Sequence, residues 1–137
     1  MSVIHPRLDA PAEFEMLLEA GHSLDARQNF SLPVAGSFAG HALQSGVTQW
    51  TNDVDKDPRW TRHPHARENR SYGSLVSVPI NRADGQPVGV FNVISSGKGA
   101  FSPVELGYIE LLGSLVNFAW TMDSEYGDKN EPNRAGA

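Results

Sequence analysis

The sequence holds no cysteine. That one absence excludes disulfides, thiolate metal sites, cysteine nucleophiles and thioether-linked chromophores. It also lacks any apolar run near the roughly 20 residues of a membrane span, so no membrane partner is expected. The start "MSVIHPRLD" has neither the basic residues nor the apolar stretch of a signal peptide. A cytoplasmic protein is expected, and Asn29-Phe30-Ser31 and Asn69-Arg70-Ser71 are chance matches to a glycosylation pattern. Basic residues are few, 11 Lys and Arg against 16 Asp and Glu, for a net charge of −5. A phosphate backbone calls for a basic surface, so no nucleic-acid partner is expected.

What remains is an ordinary globular balance, 39% apolar and 20% charged over 137 residues. That length suits one domain with one core. Residues 1–122 are expected to form it, with 123–137 a polar, disordered tail. "SVIHPRL" carries Pro6 and reads as an edge strand at best. "EFEMLLEA" fits two periods. Phe14, Met16, Leu18 and Ala20 alternate with glutamates as in a strand, while Phe14, Leu17 and Leu18 share a helical face; the alternation favours the strand. "GSFAGHALQSG" predicts a short helix with Phe38, Ala42 and Leu43 inward, stopping near Gly46. "VTQWTN" is a short strand, and "WTRHPHARENR" a loop with a helical turn after Pro64.

"YGSLVSVPIN" and "QPVGVFNVIS" are rich in Val and Ile and flank Asp84-Gly85, a turn signal, so an antiparallel hairpin follows. Both faces of the pair are apolar, which places it centrally in its sheet. Ser102-Pro103-Val104-Glu105 is a capping box with proline at the first helical position. Val104, Tyr108, Leu111, Leu112, Leu115, Ala119 and Met122 then fall at helical spacing. That strip is enough to cover a sheet. Ile109, Val116 and Trp120 form a second strip, which meets another subunit or a missing helix, or is buried on one wide face.

Residues 51–65, "TNDVDKDPRWTRHPH", concentrate the chemistry. Asp53, Asp55 and Asp57 match the first alternate ligands of a calcium loop, but Pro58 stands where that loop needs glycine and Pro64 where it needs glutamate. The plainer reading has Asp53 accepting from nearby backbone N–H groups. His63 and His65 could share a face with His41 or an aspartate, yet no zinc signature is met. Nothing singles out one of the five histidines for a haem. Ser71, Ser74 and Ser77 lie near histidines in sequence without a G-x-S-x-G elbow, paired acids for sugar hydrolysis have no support, and "SSGKGAF" lacks the full phosphate-loop pattern. No cofactor is assigned.

Arg59, Arg62, Arg67 and Arg70 supply half of the eight arginines within twelve residues, beside Trp60, His63, His65 and Tyr72. Planar guanidinium forks suit carboxylate or phosphate, and rings stack on a flat ligand. The alternative is a solvated loop whose arginines pair with Asp53, Asp55, Asp57 and Glu68.

The order of segments resembles the GAF domain, a small-molecule sensor module. The residues that carry the resemblance are Gly36 to Gly46, Asn52-Asp53, Asp57-Pro58-Arg59, Ser74 with Val78-Pro79-Ile80, Val88-Gly89-Val90, and Phe101-Ser102, over about residues 33–120. The resemblance implies an α+β, GAF-like (PAS/profilin-like) antiparallel sheet of about five or six strands with helices packed on it. Glu13 to Gly21 would be its second strand. It also implies a ligand pocket between the sheet and the Trp50–Tyr72 segment. Cyclic-nucleotide binders of the family carry an Asn-Lys…Phe-x-x-x-Asp-Glu signature, of which only Lys98, Phe101 and Glu105 are matched. Sulfoxide-reducing and most bilin-carrying members use cysteines, which are absent here. The long leading helix through which many members dimerise is also not seen.

The expectation is therefore a non-enzymatic sensory domain in signal transduction that binds a small organic ligand, an anionic one included. Candidate binding residues are Trp50, Asp53, Arg59, Trp60, His63, His65, Tyr72, Ser74 and Phe91. Phe91 is chosen for its place on a central strand and serves equally as core. The competing reading is an interaction module that forms a homodimer through the last helix. A third is an enzyme with His63 or His65 as acid or base.

Overall fold

A computed structural model describes residues 1–21, 30–60 and 72–130, with the side chains of 124–130 excepted. Six strands are described: β1 (Ser2–Pro6), β2 (Glu13–Glu19), β3 (Leu32–Pro33), β4 (Gln49–Thr51), β5 (Ser74–Asn81) and β6 (Pro87–Ser95). They form one sheet in the order β3-β2-β1-β6-β5-β4, and every pairing is antiparallel. Two helices pack on it, α1 (Phe38–Ser45) and α2 (Pro103–Asn130). The architecture is the expected α+β one.

The central hairpin forms as its sequence requires. β5 and β6 pair from Ser74↔Ser95 to Asn81↔Pro87, with an irregularity between Ile80 and Asn81. Because side chains alternate along a strand, the pair feeds two cores. Val76, Val78, Ile80 and Phe91 join Val3 and Ile109 beneath α2. Val90 joins Ile4, Phe14, Ala39 and Ala42 beneath α1, and Leu75 joins Phe38 and Val54 at the other end of that face. "EFEMLLEA" is a strand, as its alternation favoured. α1 begins at Ser37, whose hydroxyl accepts from Gly40 N–H at 3.0 Å, and ends at Gly46 in a left-handed conformation.

One expectation about β1 is corrected: it is interior, paired to β2 on one side and β6 on the other. The proline is tolerated because the β1–β6 ladder spans only Ser2 to Ile4, so Pro6 lies beyond the bonds it could not donate.

The terminal helix is capped as expected. Ser102 N–H donates to Glu105 Oε2 at 2.7 Å, and Glu105 N–H donates to Ser102 Oγ at 3.2 Å. Its buried face, however, is not the larger apolar strip. Ile109, Val116 and Trp120 pack on the sheet with Leu106, while Val104, Tyr108, Leu111, Leu112, Leu115 and Met122 are exposed. Gly113 explains the choice. It falls between Ile109 and Val116 on the same face, and a Cβ there would lie 2.6 Å from Val78 Cγ1. The backbone can approach β5 only along that face. Asn117 adds a polar anchor by accepting from Asn81 N–H at 2.6 Å. The helical backbone continues past Asp123 to Asn130. Pro132, the first residue that forbids further helix, follows two residues later.

Two glycines of α2 therefore predict opposite outcomes. Gly107→Ala adds a Cβ with nothing within 4 Å and should stabilise by up to about 1 kcal/mol through helix propensity. Gly113→Ala meets the stiff, branched Val78 and should destabilise by roughly 1–3 kcal/mol despite the same propensity gain. Urea unfolding of the two variants reads both.

Candidate functional site

The site lies on the α1 face, where four strands place polar residues side by side. Gln49 of β4 opposes Ser77 of β5, Ser77 opposes Asn92 of β6, and Asn92 opposes Ser2 of β1. Ser77, Asn92 and Ser2 alternate with neighbours committed to the α2 core, and Gln49 shares the side of its partner Ser77, so all four point toward α1. Ser77, Asn92 and Ser2 are buried. A polar row through the centre of a Val- and Ile-rich sheet costs free energy unless its groups are hydrogen-bonded. Ser77 Oγ donates to Asn92 Oδ1 at 2.5 Å. That is the sole hydrogen bond of the Asn92 side chain among the described residues, and its Nδ2 amino group is left with two donors to offer.

Beside the row stands an aromatic wall. Phe38, Val54 and Leu75 form a buried cluster on which Trp60, Tyr72 and Ile94 pack. The Trp60 and Tyr72 rings meet edge to face with centroids 5.4 Å apart, a favoured geometry. The wall is built by a loop that folds back on itself. Asp53 caps a single 3₁₀ turn, Val54–Lys56, by accepting from Asp55 N–H at 3.2 Å, which matches the plainer reading of that aspartate. Trp60 N–H then donates to Asp57 C=O at 3.0 Å.

Arg59 joins the two halves. Its guanidinium forms a bidentate pair with Asp57, Nε to Oδ1 at 2.9 Å and Nη2 to Oδ2 at 2.6 Å. Nη1 donates to Gln49 Oε1 at 2.7 Å and Nη2 to Trp50 C=O at 3.0 Å. The same group lies 4.8 Å over the Phe38 ring. Four of its five N–H groups are thus committed, so Arg59 acts as a strut of the wall, tying the loop to β4 and α1. The Arg59 guanidinium holds the Asp57 carboxyl at about 2, below its ordinary value of 3.8, against an opposing push from burial.

The other aspartates are engaged by Lys98, whose Nζ is 3.1 Å from Asp53 and 3.0 Å from Asp55. The ammonium hydrogen-bonds Asp53 and lowers its pKa, and both aspartates raise that of Lys98. Among the described residues, no group of three or more His, Cys, Asp or Glu side chains could hold a metal ion.

The sequence-derived candidates divide. Arg59, Trp60 and Tyr72 come together on the α1 face. Trp50 pairs with Val76 and shares its side of the sheet, the α2 side. Phe91 is buried in the α2 core. Ser74 is fully buried, donating to Gly97 C=O at 2.7 Å and accepting from Ala100 N–H at 3.2 Å. Asp53 faces Lys98. His63 and His65, with the turn expected after Pro64, lie outside the described residues. Missed by sequence reasoning were Gln49, Ser77, Asn92, Ser2 and Phe38. The available signal was Asn92, a lone amide in "PVGVFNVIS".

An antiparallel six-stranded sheet with a helix on each face, and a polar and aromatic candidate site beneath the shorter helix, defines an α+β architecture. A family model described as GAF domain matches residues 7–121, and the chain belongs to that family. No curated protein matches. Among solved structures, one described as a GAF domain is 20% identical with a TM-score of 0.64, and the match covers 84% of this chain and 60% of that one. The GAF domain of a phosphoenolpyruvate-protein phosphotransferase from Coxiella burnetii is 16% identical with a TM-score of 0.74, covering 93% of this chain and 74% of that one. A type II free methionine-R-sulfoxide reductase from Thermoplasma acidophilum is 18% identical with a TM-score of 0.65, covering 85% and 74%. At these identities the likeness shows the fold.

The Asp57–Arg59 pair predicts an acid-side stability loss. A carboxyl whose pKa is lower in the folded chain stabilises it above the unfolded value and ceases to as pH falls through the folded one. The melting temperature should therefore drop between about pH 4 and pH 2. Asp57→Asn should flatten that part of the profile and lower the melting temperature by roughly 5 °C at neutral pH.

Proposed function

We propose that the chain is a non-catalytic sensory or regulatory domain, acting in the cytoplasm, that binds a small organic ligand on the α1 face. The observation that carries this is Asn92, a residue 5% exposed on the face that holds the aromatic wall, whose amino group makes no hydrogen bond among the described residues. Such a donor favours a ligand offering an acceptor, and Trp60 and Tyr72 favour a ring. Four of the five Arg59 N–H groups are committed within the wall, so this guanidinium is not assigned to an anionic group of the ligand. Sulfoxide reduction is not proposed, because the resemblance ties it to cysteines and this chain has none.

A physical route runs from the wall to α2. Asn52 donates from Nδ2 to Phe101 C=O at 2.9 Å and accepts from Phe101 N–H at Oδ1 at 3.0 Å. Gly99 N–H donates to Asn52 C=O at 2.8 Å, Ser74 bridges Gly97 and Ala100, and Lys98 bridges Asp53 and Asp55. Gly73 makes the clamp possible: a Cβ there would lie 2.4 Å from the Gly97 carbonyl carbon. A ligand that prefers one arrangement of the wall would bias the start of α2 through these bonds.

The second reading, a ligand-free interaction module, is favoured by the exposed apolar strip of α2. A thermal-shift screen of nucleotides, amino acids, organic acids and aromatic compounds separates the two. A true ligand at a hundred times its Kd should add about 2.7 kcal/mol of stability. Replacing Ser77 and Asn92 together by Ala and Leu removes both partners of the buried bond, which is close to neutral for folding, and should abolish the shift. Shifts that survive in the double variant would place binding elsewhere, and a screen without hits would favour the interaction module.

A further inference from the structure

We infer that His5 is a proton-dependent clasp on the second half of α2. The two halves of that helix are attached differently. Ile109 and Gly113 are buried, and no described residue of α2 beyond Gly113 is. Past that point Val116 and Trp120 lean on the α2 core, and Asn117 accepts from Asn81 N–H. Trp120 in turn rests on His5 of β1, the rings meeting edge to face at 66° with centroids 5.9 Å apart. The position of His5 therefore bears on the half of the helix that is less firmly held.

The ring is fixed at both nitrogens. Nε2 lies 3.1 Å from Glu15 Oε1, across the β1–β2 ladder, and Nδ1 lies 3.0 Å from Pro6 C=O. A carboxylate and a carbonyl only accept. Both contacts are hydrogen bonds only while both nitrogens carry protons. A neutral imidazole keeps one N–H and turns a lone pair toward the other acceptor. The His5 side chain is 18% exposed, so little water stands ready to replace the lost bond. The ring then loses its fixed orientation, and Trp120 the surface it rests on. Imidazole is the side chain that exchanges this proton between about pH 5 and 8. Few charged groups surround it. Glu13 and Glu15 of β2 share its side of the sheet, and Arg7, two residues along, is bidentate with Asp9. β5 and β6 carry no charged residue, and Asp123 of α2 stands three residues beyond Trp120. The clasp is independent of any ligand on the α1 face.

The test is amide hydrogen exchange of the full chain at about pH 5.5 and about pH 8, read by NMR and corrected for the intrinsic pH dependence of exchange. In the wild type, protection of residues 117–123 should fall about threefold at the higher pH, the worth of one partly covered ion pair. Residues 106–113 should keep theirs. His5→Gln, which does not titrate, should remove the difference. Glu15→Gln should remove it too, because the amide can turn to accept from one form of the ring or donate to the other. The Glu15 side chain is 42% exposed, so this second variant tests the clasp even where the first does not fold. Wild-type protection that is the same at both pH values, a loss shared equally by 106–113, or a pH difference that persists in either variant would each overturn the inference.

Discussion

Burial of β5 and β6 on both faces governs the rest of the molecule. A strand covered on one side can place its polar residues in water, but a strand covered on both must assign every side chain to a core. Residue parity then becomes functional. One set of positions, Val76, Val78, Ile80 and Phe91, goes to α2. The alternate set, Leu75, Ser77, Val90 and Asn92, goes to α1. The polar members of the second set form the candidate site, because the hairpin that makes the core rigid also holds Ser77 and Asn92 in register.

Around that frame, charge is used to shape the backbone. The "DVDKDPR" segment holds three aspartates, and all three have cationic partners: Lys98 for Asp53 and Asp55, Arg59 for Asp57. The two Lys98 pairs are exposed and contribute little stability individually, whereas Asp57 is largely covered in its pair with Arg59. Their effect is positional. Lys98 draws the loop toward the strand-to-helix connection, and Arg59 draws it toward β4 and Phe38. The wall of the site and the start of α2 are consequently held by one set of bonds.

Local chemistry was legible in the sequence. The hairpin announced itself through Asp84-Gly85 and its Val- and Ile-rich arms, the last helix through Ser102 and Glu105, and β2 through its alternation. The resemblance added the number of strands. Partners set by tertiary packing were not legible. Arg59 reads from sequence either as a fork for a ligand or as a partner of the loop aspartates; the second holds for Asp57, and its contacts with Gln49 and the Trp50 carbonyl exist only after the loop folds back. For α2 the sequence offered two apolar strips and did not decide between them by any contact. The deciding residue was the small one, Gly113, which alone lets the helix reach Val78. Trp50 was proposed by neighbourhood in sequence and Phe91 for its place on a central strand, with core as its alternative; parity carries both to the other side of the sheet, and Phe91 is core.

The central claim is that the α1 face, and not the α2 face, receives a ligand. The chain's three tryptophans report on it separately, since Trp60 lies on the first face and Trp50 and Trp120 on the second. Two-dimensional ¹H–¹⁵N NMR of the indole N–H groups, assigned by Trp→Phe substitution, follows them during titration with a compound that stabilises the protein. The largest displacement should be that of Trp60. Displacement of Trp50 or Trp120 with Trp60 unmoved would contradict the account.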